Sequence, residues 1–211
     1  VGVKVSYGSW PSTISASTIA DTSISLGGVA VGGTDLFWLE GRPSEGGRVV
    51  LVRDRQGVIS DMTPKDYSVR SQAHEYGGGA VLVADDVIYF VNLTDQGIYW
   101  QVEGGAPRLL VRGENDRFAD MVLDRTGNRL ICVRERHLEN DVQNALVSVS
   151  LCSGVVTVLD GQHDFVSNPR VSPDGRRLAW VSWDLPDMPW DSATLWVADL
   201  EARGSLGKAE H

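Results

Sequence analysis

The chain has 211 residues, a mass of 22.9 kDa and a formal net charge of −9, from 19 Lys and Arg against 28 Asp and Glu. An apolar content of 42% and a charged content of 22% are those of a globular domain and argue against a disordered or fibrous chain. The acidic balance argues against a nucleic-acid or anionic-membrane partner, and no apolar run approaches the length of a transmembrane helix.

The chain opens Val1-Gly2-Val3-Lys4, with neither the basic start nor the long apolar core of a signal peptide, and both ends read as cut. Residues 1–22 read as an N-terminal segment, and apolar runs in groups of four follow it. The first group is Ser25 to Val31, Leu36 to Leu39, Val49 to Val52 and Val58 to Met62. The second is Gly79 to Val83, Val87 to Val91, Ile98 to Trp100 and Arg108 to Val111. The third is Phe118 to Leu123, Leu130 to Val133, Leu146 to Val149 and Val155 to Leu159. The fourth has Ser167 to Val171, Leu178 to Val181 and Leu195 to Val197.

Val49, Ile98, Leu146 and Leu195, which open the third runs, lie 49, 48 and 49 residues apart. Leu36, Val87, Leu130 and Leu178, which open the second runs, lie 51, 43 and 48 apart, so the period survives changes in loop length. No segment shows a convincing helical period, and the seven Trp with many Val, Ile and Leu suit packed strands. Four short antiparallel strands repeated at this period predict an all-β chain, a partial β-propeller of about four blades. The blades are placed at about 23–62, 79–111, 117–159 and 166–211. A β-sandwich would show sharper in-and-out alternation and no regular period.

Two cysteines are too few for a disulfide framework and lack zinc-ligand spacing. With a hairpin turning near Asn140, Cys132 lies opposite Ser148 and Cys152 is displaced by several residues, beyond disulfide reach. Two free buried thiols are expected, which suits a cytoplasmic location.

The loops sort by face. Connections between the first and second strands are tight and turn-rich (Gly32-Gly33-Thr34, Ala84-Asp85-Asp86, Asp124 to Asn128, Ser172 to Arg176), as are those between the third and fourth. On the opposite face the connections are long, including Gly41 to Gly47, Thr63 to Gly78, Arg136 to Gln143 and Asp184 to Ser192. Function favours long loops on a rigid scaffold. Candidate substrate-binding residues there are Arg42, His74, Glu75, Tyr76, Arg136, Glu139 and Trp190. Arg42 or Arg136 suits a carboxylate, and Glu75 or Glu139 an amine. Arg134-Glu135-Arg136-His137 reads either as a clamp for a peptide terminus or as an ion-paired strand end. Trp183, Trp190 and Trp196 fit an aromatic surface or packing between blades. His74-Glu75 has no second ligand pair nearby in sequence, so no metal is expected, and no phosphate-loop or dinucleotide motif calls for a cofactor.

Five strings stand out: Tyr7-Gly8-Ser9-Trp10-Pro11, Trp38-Leu39-Glu40-Gly41-Arg42-Pro43, His74-Glu75-Tyr76-Gly77-Gly78-Gly79, Ser172-Pro173-Asp174-Gly175 and Met188-Pro189-Trp190-Asp191. Together they resemble the prolyl oligopeptidase family of serine peptidases, in its acylaminoacyl-peptidase or dipeptidyl-aminopeptidase-like branch. Val166 and Asp187 stand where an aromatic residue and an Asn are expected. The resemblance implies the N-terminal propeller of such an enzyme, partnered by a C-terminal α/β-hydrolase domain that bears the Ser, Asp and His and is absent from this chain. It implies a peptide substrate and no catalytic residue here. Open blade edges imply possible self-association. The alternative is a TolB-like interaction propeller without catalytic activity.

Overall fold

The computed structural model describes residues 4–10, 12–75, 77–201 and 204–211. Among them four antiparallel sheets form in chain order. The first holds β1 (Ser25–Gly32), β2 (Asp35–Arg42), β3 (Arg48–Arg55) and β4 (Val58–Asp61); the second holds β5 (Val81–Ala84), β6 (Val87–Val91), β7 (Ile98–Val102) and β8 (Arg108–Val111). The third holds β9 (Asp116–Asp124), β10 (Arg129–His137), β11 (Val142–Ser150) and β12 (Val156–Asp160); the fourth holds β13 (Phe165–Val171), β14 (Arg177–Trp183) and β15 (Thr194–Asp199). Strands pair consecutively within each sheet, which is the up-and-down order of a propeller blade. The fourth blade has three strands, and Glu210 bridges Val197 on the side where a fourth strand would lie.

The repeat closes its hairpins with residues suited to the turns. Gln56 and Gly57 both take positive φ (54° and 85°), giving a two-residue turn whose twist matches the flanking strands. Asp54 accepts the Gly57 N–H at 2.7 Å and fixes it. Asp85 takes φ 55° in the turn between β5 and β6, the first hairpin of blade two.

Packing between blades explains why the second and third strands are apolar on both faces. Leu130 and Cys132 of β10 enter a core shared with Phe37 and Leu51 of blade one and with Phe90 and Ile98 of blade two. Their neighbours Ile131 and Val133 face the other way, into a core with Leu178, Trp180 and Ala198 of blade four. Trp180 is fully buried and donates its indole N–H to Asp160 at 2.9 Å, so the blade-four core is tied to the end of blade three.

Inner strands β1, β5, β9 and β13 gather around one axis, and three carry a bulge at corresponding positions. The bulge residues Gly28, Asp120 and Asn168 have φ of 49°, 54° and 52°, a region that Gly, Asn and Asp tolerate best. Asp120 also clamps blade two: its carboxylate accepts the Gly79 N–H at 2.6 Å, and its own N–H donates to the Gly79 carbonyl at 2.8 Å.

Three expectations need correction. A helix, α1 (Ala16–Thr22), precedes β1; it is too short to display a period, and its signal is the Ser15 hydroxyl accepting the Thr18 N–H. Cys132 faces Val147 rather than Ser148, because the hairpin centres half a residue earlier and is closed by Leu138 N–H to Asp141. Cys152 is exposed in the turn after β11, not buried, while Cys132 is buried and burial raises its thiol pKa; both are free.

Candidate functional site

The two faces differ as their loops suggest. The hairpin turns of all four blades meet around a cavity of about 730 Å³ at the axis, lined in part by Gly33, Asp86, Arg125 and Pro173. Each guanidinium that lines it meets a carboxylate, although the buried Nε of Arg53 makes no hydrogen bond. Arg55 meets Asp35 at 2.7 Å and Glu103 at 3.0 Å, Arg53 meets Glu103 at 2.7 Å, and Arg125 meets Asp85 at 2.8 Å.

On the opposite face, the segment between β4 and β5 crosses the ends of blades two and three in an unusual conformation. His74 and Glu75 take φ of 55° and 64°, and Gly77 takes 89°, where a Cβ would meet the Ser71 carbonyl at 2.7 Å. Each non-glycine residue held there costs on the order of 1–3 kcal/mol unless its surroundings impose it. Here they do. The buried Glu135 carboxylate accepts the His74 N–H at 2.6 Å. Arg117 donates to the Gln72 carbonyl at 2.9 Å, to Glu75 at 2.6 Å and to Glu135 at 3.3 Å. The Ser71 hydroxyl donates to the Phe118 carbonyl at 2.6 Å, so it serves the backbone rather than acting as a nucleophile.

His74 extends the lock to blade four. Its Nε2 lies 3.1 Å from the Asn144 side-chain oxygen, and the Asn144 amide donates to the Asp164 carbonyl at 2.8 Å. The imidazole stands edge-on to Phe165 and Trp183, whose rings stack at 5.2 Å. One loop therefore pins three blades.

Glu75, Glu135 and His137 place their ligand-capable atoms within 4.8 Å of one another. Arg117 sits in hydrogen-bond range of both carboxylates, and His137 Nε2 lies 2.6 Å from Glu135. The guanidinium thus supplies the positive charge that a divalent ion would bring. Its hydrogen bond holds the Glu75 carboxyl below the usual carboxylate range.

The other predicted residues fall into two groups. Arg42 donates to both oxygens of Asp61 (2.6 and 2.7 Å), to Glu40 (2.8 and 3.0 Å) and to Glu45 (3.1 Å), and the Asp61 bond above all raises its pKa. Arg136 makes a two-pronged pair with Asp116 at 2.6 and 2.8 Å. Both guanidiniums are committed to protein carboxylates. Glu139 is exposed at the β10–β11 turn. Trp190 is 75% exposed in the loop after β14, which is held by Asp184 accepting from the Asp164 N–H and pairing with His163 Nδ1 at 2.9 Å. Tyr76 lies outside the described residues. Sequence reasoning missed Arg117, Asn144 and Asp184; their signal was a polar residue at the loop-face end of a strand, or just past it.

No family model and no curated protein matches the sequence. Among solved structures, a puromycin-hydrolysing peptidase of Mycobacterium tuberculosis is 31% identical, with a TM-score of 0.86 over 99% of this chain and 35% of that one. A puromycin hydrolase is 32% identical, with a TM-score of 0.86 over 98% of this chain and 35% of that one. The chain belongs, by sequence and fold, with the N-terminal propellers of prolyl-oligopeptidase-family serine peptidases. It spans about a third of the length of these relatives. TolB from Acinetobacter baumannii, at 14% identity and a TM-score of 0.54, shares the fold alone. No described helix is long and apolar enough to cross a membrane.

Proposed function

We propose that this propeller caps the α/β-hydrolase domain of a serine peptidase, gates substrate entry and holds one end of a peptide on its loop face. The chain by itself hydrolyses nothing. The observation that carries the reading is the left-handed His74–Glu75 turn, locked to blades three and four, which presents the Glu75 carboxylate to solvent at 79% side-chain exposure. A rigid backbone that ends in an exposed charge is suited to orienting a ligand. Glu75 and Glu139 supply anionic partners for a peptide amine, and Trp190 and Tyr76 supply aromatic contact. Arg42 and Arg136 hold the loops in place through their ion pairs.

The free thiols support a cytoplasmic setting. Leu26, Val29 and Val31 stand 75%, 75% and 69% exposed on β1, which supports self-association of this chain when nothing else covers them. The reading frame beyond residue 211 tests the proposal. A Gly-x-Ser-x-Gly string followed by Asp and His is expected. A stop codon after one or two more blades overturns it and favours an interaction propeller of the TolB kind.

A further inference from the structure

Two residues from Arg136, on the same strand and the same side of it, Arg134 has no carboxylate within ion-pair distance among the described residues. It is 8% exposed, its Nε is buried without a hydrogen bond, and among the described residues its side chain has no ion-pair partner. A guanidinium nitrogen shut from water is normally hydrogen-bonded, because a buried donor left unmet is costly, and the two terminal nitrogens of Arg134, which keep some solvent exposure, have no protein partner among the described residues either. Burial, together with the nearby Arg136, lowers its pKa; Asp116 opposes this from a distance but spends both oxygens on Arg136, and an arginine stays charged throughout the physiological range.

Arg134 lines a cavity of about 380 Å³ on the loop face, shared with Asp141, Gln143, Asn144, His163 and Asp164. Neither aspartate pairs with it. Asp141 is turned to the Val142 N–H and the Gln143 amide, and Asp164 accepts the Leu185 N–H. The cavity thus offers one buried cation at its wall and two carboxylates along its rim. That charge pattern disfavours a dianion such as phosphate and suits a ligand with one carboxylate and neighbouring N–H groups. A guanidinium fork matches a carboxylate in two-pronged geometry.

We infer that the Arg134 cavity is a binding site for the α-carboxylate of a short peptide. It deepens the proposed function by assigning the carboxylate end of the ligand to blade three, and binding to this chain is measured without any hydrolytic activity, so the two readings fail separately.

Calorimetric titration of this chain with triglycine, with its C-terminal amide and with inorganic phosphate tests the site. Triglycine is expected to bind at least about tenfold more tightly than the amide or phosphate, the discrimination of a charge-assisted pair. Arg134→Met should abolish that preference, and Arg177→Gln on the turn face should leave it intact. Arg134→Met should also raise the thermal midpoint of the free chain, because it removes a buried Nε–H that has no partner. Equal binding of triglycine and its amide, no binding of either, preference for phosphate, or a lowered midpoint in Arg134→Met each overturns the assignment.

Discussion

The turn face and the loop face are built from the same four blades, yet they treat charge in opposite ways. The turn face encloses the larger cavity, and the guanidiniums that line it, Arg53, Arg55 and Arg125, meet carboxylates at 2.7–3.0 Å. The loop face encloses a smaller one and keeps a left-handed turn, a Glu75 that is exposed although paired with Arg117, and an Arg134 with no ion-pair partner among the described residues. Cavity size follows from how inner strands surround an axis, whereas unmet chemistry marks where a ligand fits. The lesson is to locate function by residual charge and imposed backbone, not by volume.

Substitutions sharpen this contrast. The largest effect is expected on the turn face, where buried Asp124 pairs with Arg129 at 2.7 Å. Asp124→Ala should cost about 3–5 kcal/mol in urea unfolding, because Arg129 is left buried without its carboxylate. If Asp124→Ala were silent, the claim that this face is held by satisfied pairs would fall. His74→Ala should cost less, about 1–3 kcal/mol, from the lost Asn144 bond and the ring contacts with Phe165 and Trp183. A loss near zero in the same unfolding measurement would show that the loop is not pinned to blade four.

Acid should produce the smallest effect, and on identifiable groups. Asp61 beside Arg42, Glu75 beside Arg117 and Asp184 beside His163 all have folded pKa values depressed by those partners. Stability from such groups is complete above the unfolded values, about 3.9 for Asp and about 4.3 for Glu, and is lost as pH falls through the lower folded ones. Urea midpoints should therefore hold steady from about pH 6 to about pH 5 and fall below about pH 4. A midpoint that rises on acidification would contradict the sign.

The architecture was legible because a period of about 48 residues and turn residues such as Gln56-Gly57 act locally. The division of loops by face followed from that order alone. The site was legible in part. His74, Glu75, Glu135 and His137 stand in conspicuous strings, but their partner Arg117 is 42 residues from Glu75, and Asn144 is 70 from His74. Nothing local to either announces the pairing. Arg42 and Arg136 looked available because Asp61 and Asp116 lie 19 and 20 residues away, brought close by strand pairing. The bulges at Asp120 and Asn168 were hidden for the same reason: an Asp or Asn in a strand reads as an ordinary polar position until its register is known.

The most direct test of the loop face as the ligand face is an amide chemical-shift titration of the labelled chain with triglycine. The shifts should concentrate at Glu75, Asn144, His163 and Asp164, while Thr34, Asp86 and Ser172 around the larger cavity stay in place. Shifts confined to the turn-face residues would contradict the account.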